Sequence, residues 1–368
     1  MIDVLEIVRK HKLHPVAFAS AADYTCQLEG QVDPSRLIND PAFSLYCFDH
    51  PTRRALFVQV PTDVDVSAGP FMYMAQYNHA QRVAAVPYDV FHSIAAGIEL
   101  QTPLAFIYST GRSGSTLMSK ALGELEATTS LSEPDVFTQA VRMRFTGVQD
   151  DEIRDLVRSA IKVLFNPAFA GNSTLHVVKF RSFCIQIADL LSTAFPEAGS
   201  LFLYRDLAPS IQSYAQAFGA LDRPPGAQRE VLAEQAAFAP LLAQEFAQRK
   251  DLDGIEGLCL LWLSAMHAYA DHRRLGIPIL AVRYEELLAH PGFEMERILG
   301  YLGLAHDHVP YALHAFQRDS QAASPLSRES VAQRPITISG QQWALVRELM
   351  RRYPLASPDI PAGSIVVP

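Results

Sequence analysis

Apolar positions along this chain follow two regimes. From residue 103 onward, short apolar runs alternate with longer stretches in which apolar residues recur every three or four positions. The runs 104–109, 175–180, 199–205 and 279–283 predict buried strands, and the periodic stretches 150–165, 183–194, 227–248 and 254–274 predict helices. Strand and helix in alternation imply a mostly parallel sheet with helices on its faces. Before residue 103 the pattern differs. FSLYCF and ALFVQV flank DHPTRR and predict a β-hairpin with a longer loop. PFMYMAQYNHAQ and PYDVFHSIAAGI predict helices, the second entered through Pro87, and residues 3–12 predict a short helix. LDRPPGAQ, residues 221–228, predicts a loop between helices, and the tail LASPDIPAGSIVVP predicts a proline-rich segment that wraps the surface or frays. The expected organisation is an N-terminal α+β accessory region over 1–100, built of a hairpin plus helices, and a core domain over 101–368.

Composition narrows the function classes. The 368 residues are 49% hydrophobic and 19% charged, enough to bury a sizeable core. With 31 Lys and Arg against 39 Asp and Glu, the net charge of −8 argues against a nucleic-acid surface. A polyanionic ligand would have to be held by a local cluster of cations and amides. Cys26, Cys47, Cys184 and Cys259 lie far apart without a C-x-x-C pair, which reads as reduced thiols in a cytoplasmic protein and not as a zinc site. The first residues, MIDVLEIVRKHKLHP, carry charges throughout, and no run of 18 apolar residues occurs, so neither a signal peptide nor a membrane span is expected. His50, His79 and His92 lack metal-ligand spacing. The cluster Met72, Tyr73, Met74 and Tyr77 reads either as the lining of an acceptor pocket or as ordinary packing. The N-terminal region is also the candidate surface for self-association into a homo-oligomer.

The chemistry concentrates at PLAFIYSTGRSGSTLMSKAL, residues 103–122. A strand, a turn rich in Gly and Ser, and a helix form the layout of a phosphate cradle. Gly111 and Gly114 let the backbone approach an anion, and the helix N-terminus adds partial positive charge. Ser113, Ser115 and Thr116 bring hydroxyls, and Arg112 brings a fixed cation. The pattern G-x-x-x-x-G-K-[ST] of nucleoside-triphosphate loops is not met, since Ser115 stands where the lysine would be. A second constellation is LFLYRDLAPSIQSYAQ, which starts at residue 201. Arg205 and Asp206 close a buried strand at its carboxyl end, where α/β folds place ligand contacts, and Ser213 follows on a helix.

STGRSGST resembles the 5′-phosphosulfate loop of sulfotransferases, the family that uses 3′-phosphoadenosine-5′-phosphosulfate (PAPS). Arg205 and the Ser eight residues later resemble that family's second signature, although Leu207 replaces the family proline. IPILAVRYEELLAHPGFEMERILGYLGL, residues 277–304, is similar to its late strand–helix block, in which Arg283 and Glu285 would tie the strand to its neighbours. The resemblance implies a P-loop-like α/β core, PAPS as sulfuryl donor, adenosine-3′,5′-bisphosphate (PAP) as product, no metal, and a small-molecule or sugar acceptor. It assigns Gly111, Arg112, Ser113, Gly114, Ser115 and Thr116 to the 5′-phosphosulfate and Arg205 and Ser213 to the 3′-phosphate; Arg328 in SPLSRESVAQR, residues 324–334, reads either as part of a late basic loop over that phosphate or as a plain surface loop. A planar bidentate donor suits a phosphate well.

For catalysis, Arg112 would be the leaving-group cation. Glu133 in LSEPDVF resembles the Glu-Pro of carbohydrate sulfotransferases, where that Glu is the proposed base; a carboxylate at the start of a helix is the other reading. HVVKFRS, residues 176–182, sits where related enzymes carry Lys-Thr-His. Lys179 matches the lysine and Arg181 replaces the histidine. Arginine cannot act as a base at neutral pH, so Glu133 takes that role and Lys179 and Arg181 remain as cations. Two rival functions stay open: a nucleotide kinase or other nucleoside-triphosphate enzyme on a related fold, and a non-catalytic nucleotide-binding module.

Overall fold

A computed structural model describes residues 1–12, 16–219, 225–249, 251–322, 324–356, 358 and 360–368. Among them the strands are β1 (Ile2–Lys10), β2 (Tyr24–Val32), β3 (Phe43–Asp49), β4 (Arg54–Gln59), β5 (Arg82–Pro87), β6 (Leu104–Ser109), β7 (Thr128–Ser132), β8 (Leu175–Lys179), β9 (Gly199–Tyr204) and β10 (Leu280–Arg283). They form an antiparallel sheet of order β2-β1-β5-β4-β3 and a second sheet of order β10-β9-β6-β8-β7. The second is the parallel five-stranded sheet that the alternation of strands and helices predicts, and helices flank it. The chain divides into two compact units, Met1–Ala105 with Glu126–Phe180 and Leu190–Ala198, and Phe106–Leu125 with Arg181–Asp189 and Gly199–Pro368.

In the first unit the predicted hairpin is present. β3 and β4 pair from Phe43↔Gln59 to Asp49↔Arg54, and a short 3₁₀ turn, His50–Thr52, joins them. Tyr46, Cys47, Phe57 and Val58 are fully buried, so both faces of this pair are covered. The helix expected at residues 3–12 is instead β1. Val4, Leu5 and Val8 imitate helical spacing, but the segment is rich in β-branched residues and pairs with β2 and β5. The predicted helices near Pro70 and Pro87 appear as Met72–His79 and Tyr88–Ala96. Met72 and Tyr73 pack as core, and Tyr73 and Tyr77 present their rings to the ammonium of Lys12 at 5.4 and 5.0 Å. That aromatic cluster is thus matched to the chain's own cation.

In the second unit the helix Gly254–Arg274 starts at a capping box in which Asp253 and Glu256 satisfy each other's end of the first turn. Tyr269 on this helix stacks on Phe202 of β9 with ring centroids 4.6 Å apart. The helix expected over 227–248 is two helices, Pro225–Ala236 and Pro240–Gln248. Pro240 lacks an amide hydrogen and fits only a first turn, so it opens a new helix. The helix expected over 183–194 begins as a 3₁₀ segment, Ser182–Ile187, before Ala188–Ala194. Residues 221–224 of the predicted loop lie outside the described residues, and Pro225 already belongs to the helix. Residues 357 and 359 of the tail also lie outside them, and the tail ends in a 3₁₀ turn, Ala362–Ile365, with Ser364 buried. No described helix is long and apolar enough to cross a membrane.

Candidate active site

The loop after β6 is shaped by its glycines and serines. Gly111, Arg112 and Gly114 have φ of +76°, +51° and +83°, all in the left-handed region. Glycine adopts that region without strain, whereas Arg112 does so at a cost of about 1 kcal/mol or more. Ser109 Oγ accepts the Gly111 amide at 3.3 Å and donates to Ser115 Oγ at 3.3 Å. The Thr110 amide and the Ser113 hydroxyl both donate to the carbonyl of Leu203 on β9, at 3.0 and 2.9 Å. The Ser113 hydroxyl is thereby committed to the fold, which leaves its amide as what it can offer a ligand. Gly114 caps the helix Ser115–Gly123, and its lack of a side chain leaves the first-turn amides without a side-chain acceptor. Ser115 and Thr116 sit in that first turn.

Two tyrosines explain why the glycines are needed. A Cβ at Gly111 would lie 1.7 Å from the hydroxyl of Tyr214, and a Cβ at Gly114 would lie 2.7 Å from the ring of Tyr284. Tyr214 donates to the Thr110 carbonyl at 3.2 Å and so fixes itself over the loop.

Arg112 Nε donates to Ser213 Oγ at 3.2 Å, and its Nη1 donates to Gln321 Oε1 at 2.6 Å. Ser213 therefore hydrogen-bonds the loop arginine. Burial lowers the affinity of the Arg112 guanidinium for its proton, and the nearby charge of Arg205 lowers it further, while Tyr214, Tyr284 and Asp319 act in the opposite sense. Arg205 lies with its guanidinium 5.0 Å from the centre of the Tyr284 ring. Its Nε is buried without a hydrogen-bond partner, and Glu285 approaches it only to 3.8 Å. The backbone around Arg205 is held by Trp262, whose indole N–H donates to the Arg205 carbonyl at 2.9 Å. Asp206 does not share this work: it accepts a bidentate pair from Arg283 at 2.9 and 2.5 Å, and its amide donates to Glu285 at 3.3 Å. Arg283 and Glu285 thus tie β10 to the end of β9.

Other arginines in the second unit rest on carboxylates: Arg283 on Asp206 at 2.5 Å, Arg249 on Glu256 at 2.7 Å, and Arg297 on Glu294 at 2.6 Å. Arg112 is different. Among the described residues its hydrogen-bond partners are neutral, a hydroxyl and an amide. Arg112 on neutral partners, with the charge of Arg205 near enough to act on it and uncapped helix amides beside it, is an arrangement that suits an anion.

Arg328 opens a short helix, Arg328–Ala332, and is exposed; its amide donates to Asp319 at 2.8 Å. Arg181 is buried at the start of the 3₁₀ segment Ser182–Ile187. In the first unit β7 and β8 run parallel with Ser132 opposite Lys179, so Glu133 follows directly at the strand end. Its amide donates to the Lys179 carbonyl at 2.7 Å, and its carboxylate accepts from the Lys179 ammonium. Glu133 has φ of +56°, and the cap position of the next helix, Val136–Phe145, belongs to Asp135. Lys179 also lies over the ring of Phe71 at 5.5 Å. Among the described residues no group of His, Cys, Asp and Glu could hold a metal ion.

The model of the Sulfotransferase family matches residues 103–308, more than half of the chain. The chain belongs to the sulfotransferase family. Comparison with curated protein sequences finds no match. Among solved structures, sulfotransferase STF9 from Mycobacterium avium is 12% identical with a TM-score of 0.42, covering 72% of this chain and 80% of that one. A sulfotransferase from Alicyclobacillus acidocaldarius is 14% identical with a TM-score of 0.41, covering 69% and 92%. Retinol dehydratase, solved in complex with androsterone and inactive cofactor PAP, is 12% identical with a TM-score of 0.35, covering 90% and 98%.

The sulfotransferase is therefore an enzyme, and its matched region contains both the Gly-rich loop and the Arg205 strand end. Three residues near these were not singled out from sequence. Tyr214 and Tyr284 stand beside Ser213 and Arg283, and a search for bulky partners of the two glycines would have pointed to them. Gln321 lies outside the matched region and carries no sequence signal of its own.

Proposed function

We propose that this sulfotransferase transfers a sulfuryl group from PAPS to a hydroxyl, or an amine, of a small-molecule or carbohydrate acceptor, with PAP as the product. The observation that carries this reading is the Arg112–Arg205 pair. Two half-buried like charges, Arg112 on neutral partners and Arg205 with Glu285 no closer than 3.8 Å, favour an anionic ligand, and a nucleotide with phosphates on both its 3′ and 5′ positions supplies two such groups. The residues fit such a group. The helix N-terminus offers amides with no side-chain acceptor, and Arg205 Nε has no hydrogen-bond partner, only Glu285 at 3.8 Å. Arg112, the amides of Ser113 and Gly114, and Ser115 and Thr116 would hold the 5′-phosphosulfate. Arg205 and Ser213 would hold the 3′-phosphate, with Arg328 as a further cation.

When bound, PAPS supplies an activated sulfuryl group on a phosphate leaving group. The chain's own residues then have distinct tasks. Arg112 is held by two neutral acceptors, which fixes its plane without cancelling its charge. Glu133 is proposed as the group that takes the acceptor's proton on a carboxylate oxygen, and Lys179 as the cation that orients that carboxylate. No metal is part of this reading.

The test is a thermal-shift titration without metal, comparing PAP with ATP plus magnesium. A ligand that binds only the folded state raises its melting temperature by mass action. PAP should stabilise the protein strongly. A larger shift with ATP and magnesium would replace this reading with a nucleoside-triphosphate enzyme.

A further inference from the structure

Gln321 is placed with unusual care for an uncharged surface-segment residue. Its amide hydrogen donates to Asp319 Oδ1 at 3.0 Å, and its carbonyl accepts from Ser324 Oγ at 2.8 Å. Asp319 Oδ2 meanwhile accepts the Arg328 amide at 2.8 Å. Arg318, one turn earlier, pairs with Glu124 at 2.9 Å, at the end of the helix that follows the Gly-rich loop. These contacts fix the backbone on both sides of Gln321 and direct its side-chain oxygen to Arg112 Nη1 at 2.6 Å.

The chemistry of that contact depends on the acceptor being an amide. A carboxylate in the same place would form a charge-assisted pair with the guanidinium, roughly twice as strong as a neutral hydrogen bond, and would cancel the positive charge that an incoming anion needs. An amide accepts the same proton and leaves the charge in place. Asp319, two residues away, is the nearby acid, and its oxygens are occupied by backbone amides.

We infer that Gln321 is a positioning residue that holds Arg112 in a fixed orientation while keeping its charge uncompensated, so that the loop selects anionic ligands. This rests on the reading of the loop as a phosphosulfate site. It predicts a pair of effects of opposite sign. Gln321→Glu should raise the melting temperature of the ligand-free protein, because a new ion pair forms. It should also weaken PAP and adenosine-5′-phosphate by about tenfold or more, because the anion must now compete with a carboxylate. Adenosine-3′-phosphate, which does not need Arg112, should change by less than about twofold. Gln321→Ala should weaken PAP by only a fewfold, since orientation is lost and charge is kept.

The experiment is calorimetric titration of the full chain and both variants with these three nucleotides, alongside melting curves with and without inorganic sulfate. If PAP binds wild type and Gln321→Glu equally, the role assigned to Gln321 is wrong and the nucleotide reading stands. If PAP fails to bind wild type but sulfate stabilises wild type and not Gln321→Glu, the nucleotide reading is wrong and the role of Gln321 stands. If neither PAP nor sulfate acts on wild type, both are overturned. A Gln321→Glu protein that melts lower and loses all three nucleotides alike would show a structural residue only.

Discussion

The hydroxyl of Tyr214 occupies the space in which a side chain at Gly111 would begin, 1.7 Å from where a Cβ would lie. Position 111 is therefore doubly restricted, by its φ of +76° and by its neighbour. Gly111→Ala should destabilise the protein by at least about 2 kcal/mol, from left-handed strain plus overpacking. It should also abolish stabilisation by PAP. In a Tyr214→Ala background the overlap is gone, so the same change should cost only about 1 kcal/mol, the backbone part. Chemical denaturation of the four proteins checks this. Equal costs in both backgrounds would mean that Tyr214 moves aside freely.

The bidentate pair between Arg283 and Asp206 joins β10 to the end of β9, beside Arg205 but without using it. Asp206→Asn keeps the shape and removes the charge. It should lower stability by about 1–3 kcal/mol, since Arg283 would be left half-buried with only weaker contacts to Glu285 and Glu286. PAP affinity should fall by a fewfold at most, whereas Arg205→Ala should lose about 1.5–3 kcal/mol of PAP binding and little of adenosine-5′-phosphate binding. A melting temperature unchanged in Asp206→Asn would show that the pair is too solvated to matter.

How far the sequence reveals this molecule depends on whether a feature is local. The Gly-rich loop, β6 and β9 are legible because buried parallel strands are continuous apolar runs and the cradle needs glycine at fixed places. The antiparallel sheet is harder to read. β1 has Val8 and Leu28 of its partner strand β2 exposed at 59% and 69%, so strict alternation fails and spacing alone imitates a helix. β7, TTSLS, is too short and polar to stand out, although it delivers Glu133 to the Lys179 carbonyl. Gln321 is 209 positions from Arg112, and only the folded chain relates them.

His176 supplies a pH dependence unrelated to catalysis. It stacks on Phe165 with centroids 4.3 Å apart and planes 7° from parallel, and its Nδ1 lacks a hydrogen-bond partner. Burial lowers its pKa from 6.5 to about 4. The folded state therefore binds fewer protons than the unfolded state between those values. Stability from this site is intact above pH 6.5 and declines as pH falls toward 4. His176→Phe should flatten that part of the stability profile. Melting curves from pH 7 to pH 4 decide it: an unchanged slope would assign the acid limb to other groups.

Glu133 is the proposed general base, and its pairing with Lys179 makes the prediction specific. Glu133→Gln keeps the size of the side chain and an oxygen that can still accept from the Lys179 ammonium, so the end of β7 should stay docked on β8. Removing basicity should lower sulfuryl transfer by about a hundredfold or more, the usual range for acid–base catalysis, while PAP affinity stays nearly constant. Lys179→Met removes the ammonium and leaves the carboxylate buried with less compensation. It should therefore lower stability as well as rate, and Glu133→Gln, which takes the paired anion from the buried Lys179 ammonium, should also lower the melting temperature, so the rate is read per folded molecule. Transfer is measured on a panel of alcohols and amines with PAP release as the signal, and melting temperature is recorded for each variant. Glu133→Gln turning over at nearly the wild-type rate would place the base elsewhere. A lower melting temperature with intact activity per folded molecule would make the Glu133–Lys179 pair a purely structural tie.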